Sequence, residues 1–508
     1  MLHPTSFRLR AGFWLSLLCA GSGTLLIVLA PWETVGAPVL ALLFFGGAAL
    51  GLMLRDSPIE ERRFVIRLFL IALAVRLLTA LVFHLAYGGG GSFWSSDARS
   101  YDKAAWVMAR NWKNPASAPE GLGSLEFIRN HLYPRLLAGL YFIVGHSKAA
   151  AIVLNMVLGV SSVYLVYRLG VLLLGPAAAR WAGWLAACYT GFWWWEMMAL
   201  KDALFLFLIL LFFLALHRCW NSLARADRTG ADWVQAALWG AVLMLIFTAT
   251  GELREYVPLL LLCSALWLPV VSFLRSGGTG RWVVTLAAAA AVIAVLWPRI
   301  MAREMVPVAV KEDSLFFQSV ELPVTGNVAV FLRWVGEHPA SFAQYMTLAA
   351  FSSALAPYAW ILPGTLPDVP RFEPGMITFP GMWMWYLLIP FTILGAVQAI
   401  RRSRGKAWPI LFFAITGFLL FSFFIPRESR HRDIVMPFAL MFAAEGIVYS
   451  RRWWLLGLLV WIPLVGFIAW KMQSVIPVLL AAGCAGGAIL FRYIRMRRRH
   501  NPLRIREG

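Results

Sequence analysis

Residues 154–216, LNMVLGVSSVYLVYRLGVLLLGPAAARWAGWLAACYTGFWWWEMMALKDALFLFLILLFFLAL, carry most of three successive apolar runs, at 149–169, 179–195 and 199–217. Each comes close to the roughly 20 residues that a helix needs to cross the ~30 Å hydrocarbon layer of a bilayer. The last run opens on Lys201 and Asp202, where an acid suits the positive end of a helix and a lysine can snorkel to the interface. Trp193, Trp194 and Trp195 close the run before it and read as an interfacial aromatic anchor.

The same signature recurs on both sides, at 12–30, 36–54 and 64–86 before it and at 232–250, 257–274, 281–298, 380–400, 407–425, 433–449, 453–470 and 474–492 after it. The expected fold is an all-α polytopic membrane protein of about fourteen spans. Composition points the same way. The 508 residues are 60% hydrophobic and 14% charged, with a mean hydropathy of +0.72, against about a quarter charged in soluble domains. The net charge of +20 does not imply nucleic acid, because the cations collect in short connections and at the basic tail. Arg55, Arg62, Arg63, Arg218, Arg401 and Arg451 fall on one side when the spans alternate, which places both termini in the cytoplasm. Cys19, Cys188, Cys219, Cys263 and Cys484 lie in or beside apolar runs without CxxC or Cys/His spacing, and read as packing residues.

Three regions follow. Residues 1–63 form a transmembrane hairpin, its first span read as uncleaved, and a cytoplasmic linker. Residues 64–450 form the core, with long external segments at 87–148 and 299–379. Residues 451–508 form a second hairpin and the basic tail. HLYPRLLAGLYFIVGH, 131–146, would invert every later span if it crossed the membrane, so it reads as an interfacial or re-entrant helix. Residues 341–364, apolar but broken by prolines, read as helices lying on the membrane surface.

In this topology the unusual polar residues gather at the external face: Asp97 and Asp102, Glu196 with Lys201 and Asp202, Arg254 with Glu255, and the RESRHRD segment with Arg427, Arg430, His431 and Arg432. Charges at helix ends in apolar surroundings are costly and usually have partners or functions. External loops are normally poor in cations, and three arginines in one short loop suit the bidentate grip of a phosphate. Ser96 to Trp106, SDARSYDKAAW, follows the glycines 88–91 and starts a helix on which Asp97, Tyr101 and Ala104/Ala105 share a face. Arg76 is the main charge away from that face and reads as paired within the bundle.

The succession of Asp97 in DARSYDKAAW, HLYPRLLAGLY, the 154–216 run, LREYVPLLLL and RHRDIVMPF resembles the GT-C superfamily of membrane glycosyltransferases. The likeness covers roughly 64–450 and is greatest to family 39-like bacterial members, the group of protein O-mannosyltransferases and lipid A aminoarabinose transferases. It implies a polyprenyl-phosphate-linked sugar as donor and a lipid, glycan or protein as acceptor. It also implies inverting transfer at the periplasmic face of a bacterial inner membrane, with Asp97 as the base. Arg427, Arg430, Arg432, Lys201 and Arg254 are then expected to hold the donor phosphate, and Tyr101, Asp102, Glu196, Asp202 and His431 to line the pocket. The chain departs from the family in having Asp-Ala where many relatives have two adjacent acids, in its extra N-terminal hairpin and in lacking a soluble C-terminal domain. Those departures leave open the acceptor class and the use of a divalent cation such as Mg or Mn. An O-antigen-type polymerase or ligase and a lipid-linked sugar flippase or transporter are the alternative classes. The first would carry its large loop late in the chain, and the second would show mid-membrane charges and a repeated half.

Overall fold

The computed structural model describes residues 36–87, 96–114, 132–224, 229–254, 257–276, 304–305, 326–344, 346, 375–402, 405–424 and 433–450. The expected spans at 12–30, 281–298, 453–470 and 474–492 lie outside them. Among the described residues the structure is helical apart from a two-residue antiparallel pairing of Glu304–Met305 with Gly326–Asn327.

We number the helices that matter here in chain order: α1 (Ala37–Asp56), α2 (Ile59–Tyr87), α3 (Ser96–Lys113), α4 (Leu132–Val144), α5 (Lys148–Leu173), α6 (Pro176–Cys188), α7 (Thr190–Glu196), α8 (Asp202–Ala224), α9 (Gly230–Leu253), α10 (Val257–Ala265), α11 (Trp267–Ser276), α12 (Gly375–Arg402), α13 (Trp408–Phe424) and α14 (Met436–Ser450). Six helices among the described residues are long and apolar enough to cross a membrane: α1, α2, α5, α8, α9 and the Met384–Arg402 part of α12. Several of the exposed faces of these helices are greasy, as on α2 with Leu78, Leu81 and Leu85 and on α9 with Leu238, Met244 and Leu245, which suits contact with lipid. The structure is therefore that of a helical membrane protein.

Local sequence explains where helices start and stop. Thr229 and Asp232 cap α9 reciprocally, each accepting a hydrogen bond from the other's backbone N–H. Gly175, at φ 97°, turns the chain before Pro176 opens α6. The expected span 179–195 is broken at Tyr189 into α6 and the seven-residue α7. With 13 residues, α4 reaches only about 20 Å, short of a bilayer crossing.

By its contacts the chain separates into two compact units, Met1–Tyr164 with Trp195–Phe207, and Leu165–Trp194 with Leu208–Gly508. In the first, α3 packs on α4 through small residues: Ala98, Ala104, Ala105 and Ala138 are fully buried. In the second, α14 packs against both α12 and α6. Phe213 of α8, Phe413 of α13 and Phe438 of α14 meet edge to face at 5.3, 5.3 and 5.6 Å. Trp194 is buried in this unit, and Trp193 donates its indole N–H to Ala187 O at 3.0 Å. The aromatic anchor expected at 193–195 is thus, for Trp194, buried packing in a short helix set off from α6 at Tyr189.

The seam between α12 and α14 is made backbone to backbone. A Cβ on Gly395 would collide with Phe442 O, and one on Gly446 with Phe391 O. In a bilayer, where apolar side chains gain little from one another over lipid, such close approach supplies the packing that joins helices. Gly446→Ala forces the two main chains apart, at a cost of about 1–3 kcal/mol or more. It should lower the melting temperature of the detergent-solubilised protein, whereas Gly240→Ala on α9, which meets nothing within 4 Å, should leave it unchanged. Equal melting temperatures for the two variants would disprove the seam.

Candidate functional site

Within the first unit, the acids singled out by the sequence separate into three environments. Asp97 lies in the first turn of α3 and is exposed. A carboxylate there faces the unpaired N–H groups of the helix start, which favour negative charge. Tyr101, on the buried side of the same helix, packs edge-on against Tyr133 with ring centres 5.8 Å apart. By helical spacing Asp97 shares one side of α3 with Tyr101, Ala104 and Ala105, but in the first turn it is exposed where those three are buried.

Asp102 is buried and takes two hydrogen bonds on one oxygen, from the Tyr141 hydroxyl at 2.6 Å and from His146 Nε2 at 3.1 Å. The His146 ring lies flat on the indole of Trp106 at 4.9 Å, and Tyr141 meets it edge-on at 5.1 Å. Burial, then the neighbouring Asp102 carboxylate, pushes the Tyr141 phenol well above its usual range, so it stays a donor. Burial likewise raises Tyr133, with Asp202, Tyr101 and Asp102 adding to the effect, while its bond to Asn155 opposes it. Asp102 and Asp202 thus both act on one phenol, and Asp202, nearly buried, opens α8 as expected.

Glu196 has a different role from the pocket acid expected of it. It ends α7, is buried, and forms a bidentate pair with the wholly buried Arg76 of α2, Nε and Nη2 donating at 2.5 and 3.0 Å. Arg76 Nη1 donates to Ala72 O at 3.1 Å. Gly159 of α5 faces this pair so closely that a Cβ there would strike the Glu196 carboxylate. One turn earlier on α5, the fully buried Asn155 donates to Met198 O at 2.6 Å and Leu200 O at 3.2 Å and accepts from Tyr133 at 3.1 Å. It thereby satisfies carbonyls in the link between α7 and α8, where Lys201 sits partly exposed.

In the second unit Arg254 ends α9 and is half-buried. Arg427, Arg430, His431 and Arg432 lie outside the described residues. Asp433, which follows them, is buried and accepts from the Tyr189 hydroxyl at 2.8 Å. Among the described residues no group of three or more His, Cys, Asp or Glu side chains is placed to hold a metal ion. Asp102 already spends one oxygen on two donors and Glu196 is closed by Arg76, so these acids do not fit a divalent cation.

His146, Asn155, Tyr141 and Gly159 were not singled out by the sequence reading. The signal for Asn155 was there: an amide within an apolar run is costly unless bonded. His146 had a weaker one, as the polar end of an apolar helix closed by Gly145 at φ 82°. No family model, curated protein or solved structure matches this chain.

Removing one partner of a buried ion pair leaves the other charge stranded, typically at about 3–5 kcal/mol, whereas replacing both with apolar groups is often neutral. Arg76→Met and Glu196→Leu should each lower thermal stability sharply, and the double variant should recover most of the loss. Additive losses in the double variant would show that the two side chains do not act as a pair.

Proposed function

We propose that this chain is a glycosyltransferase of GT-C type, transferring a sugar from a polyprenyl-phosphate donor to an external acceptor. It lies in a bacterial inner membrane with about fourteen spans, both termini cytoplasmic and the site at the periplasmic face. The observation that carries this reading is the placement of Asp97. Of the acids Asp97, Asp102, Glu196 and Asp202, it is the exposed one, held in the first turn of a helix that buries Tyr101, Asp102 and four alanines, Ala98, Ala104, Ala105 and Ala109.

In an inverting transfer the acceptor oxygen attacks the anomeric carbon, and the bond from that carbon to the phosphate oxygen breaks with its electron pair passing to the phosphate. Asp97 takes the acceptor's proton. Arg427, Arg430 and Arg432, with Arg254 and Lys201, stabilise the charge that grows on the lipid phosphate. Tyr101 and Asp202 are pocket residues in this reading. The Arg76–Glu196 pair does not favour a transporter: its charges cancel and its bonds are closed, so it offers no vacant site to a moving ion.

Asp97→Asn separates chemistry from folding, because asparagine serves a helix start about as well as aspartate but cannot take a proton. In membrane vesicles supplied with labelled polyprenyl-phosphate sugars, transfer should fall about a hundredfold or more, with expression and melting temperature retained. Near-normal transfer would rule Asp97 out as the base. The orientation is checked separately with Lys103→Cys, an exposed position on α3, in a chain whose five native cysteines are replaced. An impermeant thiol reagent should label it in intact cells; labelling only after permeabilisation would overturn the external site.

A further inference from the structure

The Asp102–His146 pair is not used by the transfer step described above. Asp102 is a buried carboxylate, and Tyr141 and His146 Nε2 both direct hydrogen at the same oxygen. With Nε2–H committed to a carboxylate, the imidazole's second nitrogen, Nδ1, is the atom left for a ligand, as in other carboxylate–histidine pairs. Among the described residues Nδ1 has no hydrogen-bond partner, and the side chain is 30% exposed. When Nδ1 carries a proton, the positive ring is balanced by Asp102 on one edge and by the face of Trp106 beneath it. At the start of α5 the Ser147 hydroxyl accepts from Ala150 N.

We propose that His146, oriented by Asp102, is a hydrogen-bond and proton donor to the departing phosphate of the lipid-linked donor. This rests on the glycosyl-transfer reading. Before transfer the phosphate is a diester with one negative charge. When the anomeric carbon–oxygen bond breaks, the electron pair stays on the phosphate, which becomes a monoester with a second charge and a proton affinity near pH 6. Nδ1–H donates its proton to that oxygen, leaving neutral imidazole, and the acceptor's proton goes to Asp97. Release of the Asp97 proton to water and uptake of one by His146 restore both groups. Asp102 and Tyr141 are positioning residues in this scheme: they hold the ring without touching the phosphate.

Among the described residues, the titratable groups in contact with the ring are Asp102 from α3 and Tyr141 from α4, and Lys148 lies two residues along at the start of α5. The test uses the full-length detergent-solubilised protein and a short-chain isoprenyl methyl phosphate diester, whose single charge is constant from about pH 5 to about pH 8, the interval in which histidines take up a proton. Wild-type protein should bind the diester more tightly as pH falls. His146→Gln, which keeps a neutral donor, should bind about tenfold or more weakly at the acid end and lose the pH dependence. Asp102→Asn, which keeps the acceptor oxygen but removes the countercharge, should move the pH dependence to lower pH, and it serves equally if His146→Gln does not fold. Wild-type affinity and pH dependence in folded His146→Gln, or an unmoved midpoint in Asp102→Asn, would overturn the proposal and leave the pair as a staple between α3 and α4. That result would leave the wider reading standing, whereas failure of the wild-type protein to bind the diester at any pH would overturn the donor class itself.

Discussion

The first unit depends on a charge that cannot be left alone. Arg76 is wholly buried in the apolar stretch of α2, and Glu196 neutralises it through two parallel hydrogen bonds. That one pairing dictates several other choices. α7 must end where its carboxylate can reach α2, and α5 must present a glycine, Gly159, at the crossing. Four residues before Gly159, and so on the same face of α5, Asn155 binds the carbonyls exposed as the chain leaves α7. α5 thus carries both the space for the ion pair and the amide that makes the adjoining break tolerable.

α3 and α4 illustrate a different economy of form. Neither is among the described helices long and apolar enough to cross a membrane: α4 has 13 residues, and α3 is polar on its outer side. Small residues let them approach closely, and the aromatic residues between them supply directed contacts, Tyr101 on Tyr133 and Tyr141 on Asp102. A carboxylate at the first turn of such a helix is held in place by packing one and two turns further along.

Most of the helical layout was legible in the sequence because hydrophobic length is a local property. The runs at 36–54, 64–86, 149–169, 199–217 and 232–250 match α1, α2, α5, α8 and α9, and Asp202 opens α8 where an acid belongs at a helix start. The run at 179–195 reads as one span because hydropathy does not register that Tyr189 leaves the helical conformation, with an extended backbone at φ −73°, ψ 106°. The partner of Arg76 was illegible for another reason. Glu196 lies 120 residues away, and nothing local distinguishes it from an acid that faces solvent. The same holds for Asp97 and Asp102, five residues apart on one helix: their types and spacing are plain in the sequence, but which of them is exposed depends on α4 and on the link to α5.

Asn155 also has a consequence for how the protein is made. Its amide is a fully buried demand for acceptors that the chain supplies 43 and 45 residues later. At synthesis rates of about 5–20 residues per second, those carbonyls emerge several seconds after the amide itself. During that interval the two amide donors must find other partners, and the exchange to Met198 and Leu200 accompanies the arrival of the α7–α8 link. A single amide thereby couples the final packing of α5 to a piece of chain made later.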